Sequence, residues 1–408
     1  MLGALAEGKT RVSGFLQGAD CIATLEVFRA LGVSIEGPDK GRVTIQGVGL
    51  RGLKMPLDAL NLGNSGTSMR LLSGLLSGQL FDVELLGDAS LNRRPMRRVI
   101  GPLAQMGAHI DSDEEGTPPL RIHGGQNLQG IHYAMPVASA QVKSALLLAG
   151  LYAEGETCVT EPAPTRDHTE RMLRGFGVSV SRSGATVCLQ GGGHLVAADI
   201  DVPADISSAA FFLVAASIAP GSDLVLEHVG VNPTRIGVIE ILRLMGADIT
   251  LENPREVGGE PVADIHVVAA DLKGIDIPAA LVPLAIDEFP VLFIAAACAS
   301  GQTRLTGAEE LRVKESDRIQ VMADGLQVCG IEATPLPDGI VIQGGFLQEG
   351  VVQSHGDHRI AMAFTVAGLR SRETIEIHDC ENVDTSFPGF IEACEHVGIQ
   401  VRSERGAS

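Results

Sequence analysis

Residues 244–250 read LMGADIT. An apolar pair closes a helix, Gly246 supplies the left-handed exit that glycine takes at least cost, and alternating side chains then begin a strand. The pattern recurs as ALGVSIE from Ala30, QMGAHID from Gln105, GFGVSVS from Gly175, VCGIEAT from Val328 and HVGIQVR from His396. Self-similarity on this scale governs the fold, because each copy is one supersecondary unit.

A strand precedes each copy: GKTRVSG at Gly8, GQLFDVELLG at Gly78, GETCVTE at Gly155, GSDLVLEHVG at Gly221, GQTRLTG at Gly301 and RETIEIHD at Arg372. In five copies a second helix lies ahead of that strand: SGTSMRLLSGLL, SAQVKSALLLAGLY, ISSAAFFLVAASIA, DEFPVLFIAAACA and DHRIAMAFTVAGL. These helices are hydrophobic almost all round and belong in the middle of a domain, whereas TLEVFRAL and RIGVIEILRLM are amphipathic and lie outside. Six such units predict an α/β protein of two domains, residues 1–200 and 201–408, dividing near ADIDVPADIS.

Fourteen residues before the first residue of each of these five strands stand Asn64, Gln141, Ser207, Asp287 and His358. All are polar and sit at the front of a buried apolar helix. A helix N-terminus offers unpaired N–H groups and a positive dipole end, so a repeated set of them favours phosphates or carboxylates. The alternative is that each is merely an N-cap. For the first copy the corresponding position falls before Met1, and the opening MLGALAEG reads as a helix closing at Gly8 with its front absent.

The formal charge of −19, the absence of Trp and the presence of only two Tyr exclude a basic, stacking nucleic-acid surface. An anion must therefore meet a local cationic cluster set against the global field. No apolar run is long enough to span a membrane and the first residues do not read as a signal peptide, so a cytoplasmic protein is expected. Seven scattered cysteines, none spaced as C-x-x-C, predict buried thiols rather than a disulfide framework or a structural zinc site.

Five segments carry chemistry. NRRPMRR (92–98) places Arg94 before Pro95 at a helix start, where an anion would sit, although a solvated basic face is the simpler reading. LRVKESDR (311–318) offers Lys314, Glu315 and Arg318; helical spacing would turn both cations one way beside a carboxylate, unless the run is a surface ion-pair lattice. SHGDHRIAM (354–362) gathers His355, Asp357, His358 and Arg359; a metal is disfavoured beside the Arg359 guanidinium, which points instead to an anion. LGNSGTSMR (62–70) is a Gly-rich loop that lets backbone N–H groups approach a ligand, and PTRDHTERM (164–172) a helix start.

LGNSGTSMRLL, GDASLNRRPM, ASAQVKSALLLAGL, APTRDHTERML, LRVKESDRI, GDHRIAMA and TSFPGF, in this order, closely resemble the 5-enolpyruvylshikimate-3-phosphate synthase family in its bacterial second-class form, from Met1 to about Val401. The resemblance implies a two-domain inside-out α/β barrel of six βαβαββ units, three per domain. It implies transfer of the enolpyruvyl group of phosphoenolpyruvate to the 5-hydroxyl of shikimate 3-phosphate, with phosphate released and no metal or organic cofactor.

Carried over by position, the resemblance puts Asn64, Gly66, Thr67, Arg94, Gln141, Arg318, Asp357 and Arg359 on phosphoenolpyruvate. Ser139, Ala140, Gln141, Arg166, Asp287 and Lys314 would hold shikimate 3-phosphate. Glu315 would exchange the proton at the methylene carbon, His358 would complete the wall, and either Asp287 or Lys314 would assist deprotonation of the 5-hydroxyl. Glyphosate is implied as an inhibitor.

The family signature Pro-Gly-Asp-Lys-Ser-x-Ser-His-Arg precedes the segment matching MLGALAEG, and this sequence does not contain it. The first unit is therefore expected to be truncated, the second domain to want a strand, and an otherwise monomeric chain to be completed by a short N-terminal fragment. The competing expectation is an inactive module that binds shikimate 3-phosphate. The sister enolpyruvyl transferase acting on UDP-N-acetylglucosamine fits less well, since it expects a reactive cysteine near the Arg-Pro motif and none lies between Cys21 and Cys158.

Overall fold

The computed structural model describes residues 1–404. All six glycines of the recurring pattern take the left-handed backbone: Gly32, Gly107, Gly177, Gly246, Gly330 and Gly398 have φ between 81° and 96°. In each copy the following N–H reaches five residues back to close the helix, as Val33 does to Phe28 and Ala247 to Leu242, at 3.0 and 2.9 Å. This double closure satisfies carbonyls that a helix end otherwise leaves unpaired.

The chain forms two compact units, Met1–Val202 with Glu256–Glu260, and Pro203–Arg255 with Pro261–Ser408. In the first unit the helices Gly66–Ser77 and Ala140–Gly150 pack on each other in the middle of the core. Gly74 makes that approach feasible, because a Cβ there would lie 2.0 Å from the carbonyl oxygen of Ala145. Three small sheets surround the pair. Each repeats one plan: a parallel strand enters beside a central strand, and an antiparallel hairpin follows.

The second unit packs three buried helices, Ile206–Ile218, Phe289–Cys298 and His358–Ala367, against one another, again inside three sheets. Beyond the first turn their side chains are apolar almost all round, as a helix with little solvent side requires. Helices at the centre and sheets outside make this the expected α/β architecture of six units.

Three expectations need correction. The opening helix spans only Leu2–Leu5 and ends on an extended Ala6, and Gly8 lies within the strand Ala6–Ser13 rather than capping the helix. HVGIQVR forms no strand: Ile375–His378 pairs with Gly350–Gln353 alone among the described residues, and the segment after Gly398 does not join them. The cysteines are not all buried thiols, since Cys158 and Cys188 form a disulfide and Cys380 is exposed. The bonded pair lies directly opposite on the antiparallel strands Glu156–Thr160 and Thr186–Gln190, a register that sequence spacing does not disclose.

No helix among the described residues is long and apolar enough to cross a membrane.

Candidate active site

Capping is the first question the five polar residues raise. The caps prove to be their neighbours: Ser65, Ser139, Asp205 and Asp357 accept backbone N–H groups of their own helices at 3.0–3.3 Å, and Glu288 precedes the fifth. Asn64, Gln141, Ser207, Asp287 and His358 are therefore not spent on capping. Their side chains serve two clusters, one in each unit.

In the first unit Arg94 donates to Asn64 Oδ1 at 2.6 Å, and Asn64 donates to Asp88 at 2.7 Å. Burial works to raise the Asp88 carboxyl, but hydrogen bonds from Asn64 and the Leu91 and Ser90 amides, together with Arg94, bring it below its ordinary value. Arg70, which the sequence reading passed over, binds the Gly66 carbonyl at 3.1 Å and Gln141 at 3.0 Å. Gln141 in turn donates to Thr67 at 2.8 Å. The Arg70 guanidinium loses affinity for its proton through burial and the neighbouring charges of Arg98 and Arg94. This is a local cationic cluster within an acidic chain, which is what anion binding was argued to need. Its signal was present in the sequence, since Arg70 follows Gly66 by one helical turn.

Pro95 does not open a helix. That helix is Arg97–Gln105 with Met96 at its N-cap, and Arg94 is oriented by Asn64 instead.

Ser139 and Ala140 begin the helix that carries Gln141. Arg166 lies in the segment between Glu161 and His168, which is tied to that helix from below. Lys143, fully buried, is 2.9 Å from Glu161 and 2.7 Å from Glu170. Ser144 and Thr169 share a hydrogen bond of 2.7 Å, and Thr165 donates to Glu161. The residues beside Arg166 are thus fixed by a buried ion network that the sequence reading did not find.

The second unit gathers the rest. Arg318 is 1% exposed and makes ion pairs with Asp357 at 2.8 Å and Glu315 at 2.6 Å. Its Nη1 lies 3.9 Å from Asp287, too far for a hydrogen bond, and has no hydrogen-bond partner among the described residues. Burial would weaken its hold on the proton, but Asp357, Glu315 and Asp287 strengthen it beyond the ordinary value. Burial likewise acts to raise Asp357, and Arg318 more than offsets it.

Lys314 pairs with Asp287 at 3.3 Å and with Glu310 at 2.6 Å. Its backbone is extended, and the helix begins only at Arg318, so helical spacing is not what brings the two cations to Asp287. Arg359 donates to the Asp287 carbonyl at 3.0 Å. Ser207, Arg235 and Glu288 interlock behind it, with Arg235 3.5 Å from Glu288. Burial, then the Arg359 charge, lowers His358 to about 4 despite Asp357 and Glu315, so its imidazole is neutral near pH 7.

One buried and several half-buried guanidinium groups, a lysine and carboxylates at helix fronts make up a set of side chains suited to small anionic molecules and to acid–base chemistry. The family model for EPSP synthase (3-phosphoshikimate 1-carboxyvinyltransferase) matches residues 1–394. A 3-phosphoshikimate 1-carboxyvinyltransferase of Alkalilimnicola ehrlichii is 70% identical, covering 98% of this chain and 90% of its own. That of Methylococcus capsulatus is 69% identical, covering 98% and 92%. A solved EPSP synthase structure from Acinetobacter baumannii superposes with a TM-score of 0.93 at 62% identity, covering 98% and 92%. The chain belongs to the EPSP synthase family. It is a transferase of the shikimate pathway, in aromatic amino-acid biosynthesis.

Proposed function

We propose that the two clusters divide the work of enolpyruvyl transfer from phosphoenolpyruvate to shikimate 3-phosphate. In the first unit Ser139, Ala140, Gln141 and Arg166 hold shikimate 3-phosphate, and Asn64, Gly66, Thr67 and Arg94 bind phosphoenolpyruvate, with Gln141 touching both. In the second, Arg318, Arg359 and Asp357 bind phosphoenolpyruvate, and Asp287 and Lys314 contact the acceptor hydroxyl. The observation that carries this reading is the buried Arg318 Nη1, a charged donor without a hydrogen-bond partner among the described residues. Such a group costs stability unless a ligand oxygen completes it.

Glu315 gives a proton to the methylene carbon while the 5-hydroxyl oxygen bonds to C2 of phosphoenolpyruvate. The hydroxyl proton passes to Asp287, whose carboxylate is held by Lys314 at 3.3 Å. From the tetrahedral intermediate, Glu315 takes a proton back from the methyl carbon as the bond to phosphate breaks, and the proton held by Asp287 passes to the leaving phosphate. The enolpyruvyl ether and inorganic phosphate result. His358, neutral, contributes hydrogen bonds rather than charge.

A cytoplasmic monomer belongs to the same reading, as does inhibition by glyphosate, whose phosphonate and carboxylate suit the same cations. The test is phosphate release from the two substrates, run on the chain alone and with a peptide carrying the Lys-Ser signature. Release that requires both substrates supports the proposal, and release only with peptide adds the completing fragment. Binding of shikimate 3-phosphate with no release under either condition sinks it in favour of an inactive binding module.

A further inference from the structure

Away from both clusters, two groups among the described residues bring three metal-ligating side chains within 4.8 Å of one another. One of them, His132, Glu156 and Cys158, has its sulfur engaged in the disulfide with Cys188. The other, His109, Asp111 and His123, keeps all its donors.

These three lie on the antiparallel strands His109–Asp111 and Leu120–His123, the first of which is the edge of its sheet. His109 and His123 are direct register partners, so their imidazoles stand side by side, stacked with centroids 4.3 Å apart. Asp111 is two residues along the edge strand and therefore on the same face. Both histidines turn Nε2 toward it: His123 at 2.7 Å from Oδ2 and His109 at 3.4 Å from Oδ1. Donors around a tetrahedral zinc ion stand about 3.3 Å apart, so small rotations suffice to admit one.

The remaining nitrogen of His123 faces a second carboxylate, Asp82, at 3.5 Å. Asp82 is itself held by the Gly124 amide at 3.1 Å. A carboxylate behind a ligating imidazole fixes ring orientation and strengthens the donor, which is how metal-binding histidines are commonly supported. Arg121, 3.4 Å from Asp82, is the one cation in the group. Its side chain is 61% exposed, so its head can withdraw into water.

We propose that His109, His123 and Asp111 form a binding site for a divalent first-row cation, zinc by its two imidazoles and one carboxylate, with Asp82 as the orienting residue. A water would fill the fourth position. Neither strand carries a residue of the active-site clusters, so the ion acts on structure: it clips a three-residue edge strand to its neighbour.

The test is calorimetric titration of the tag-free chain with zinc chloride at pH 7.5, with cobalt(II) absorption as a second readout of tetrahedral nitrogen ligation. The expected result is one zinc per chain, lost in His109→Ala/His123→Ala, weakened about 10–100-fold in Asp82→Asn and unchanged in His132→Ala. Excess zinc should raise the melting temperature of the parent chain and not that of the double variant. Circular dichroism confirms that the exposed substitutions leave the fold intact. Absence of saturable binding by the parent chain, or equal binding by parent and double variant, overturns the assignment.

Discussion

Arg318 Nε lies 2.8 Å from a carboxylate oxygen of Asp357, and neither side chain is more than 1% exposed. Asp357 also accepts the Arg359 amide at 3.0 Å, capping the helix His358–Ala367. One carboxylate thus neutralises a buried cation and orients the start of a core helix. Asp357→Ala should lose both functions, leaving the buried Arg318 with Glu315 as its one ion-pair partner within hydrogen-bond distance among the described residues, at a cost of about 3–5 kcal/mol. Asp357→Asn retains the cap and should cost less. Urea denaturation of the two variants measures the difference.

Gly66 leaves room that any side chain would fill. A Cβ there would lie 2.9 Å from Arg70 Nη1 and 3.2 Å from Arg94 Nη1. Both are far ends of flexible side chains, so Gly66→Ala should fold with little change in melting temperature. The displaced guanidinium groups should raise the KM for phosphoenolpyruvate by roughly tenfold, about 1.4 kcal/mol of lost anion binding. Steady-state kinetics with shikimate 3-phosphate saturating read the change directly.

Lys143 ties Glu161 to Glu170, residues on either side of Arg166 in the chain. Lys143→Met removes the ion-pair partner of the buried Glu170 and leaves the buried Glu161 with Arg182 at 3.3 Å, and should destabilise the first unit by about 3–5 kcal/mol. Lys143→Met combined with Glu170→Gln removes one of those charges and should recover part of the loss. Thermal melts of the single and double variants decide whether the network is coupled.

His358 makes stability depend on pH in a defined window. Its folded value is about 4, below the ordinary value of 6.5. Between these values the unfolded chain takes up a proton that the folded chain refuses, so this contribution is full above pH 6.5 and is lost as pH falls toward 4. The loss, complete below pH 4, is on the order of 3 kcal/mol. His358→Asn, which carries no titrating ring, should flatten that part of the stability profile in urea melts at pH 7.5, 6 and 5.

Much of this was legible in the residues. The six glycine exits and the polar residues at a constant offset disclosed the repeat and the helix fronts, because both follow from local backbone chemistry. What escaped depends on register or long-range contact. The Cys158–Cys188 pair and the His109–His123 pair face each other only once strands are aligned. Lys143 meets Glu161 across eighteen residues of chain, and Ser207 meets Glu288 across eighty-one. Lys314 and Arg318 do converge on Asp287, but through an extended turn rather than the helical spacing that suggested it.

In the function proposed above, the Arg318 guanidinium takes the oxygens of phosphoenolpyruvate. The most direct test is the phosphoenolpyruvate dependence of phosphate release by the parent enzyme and by Arg318→Gln, under whichever condition the parent is active. The expected result is a loss of kcat/KM for phosphoenolpyruvate of at least about 100-fold, or about 2.7 kcal/mol, with shikimate 3-phosphate binding retained. A folded Arg318→Gln enzyme with unchanged kcat/KM would contradict it.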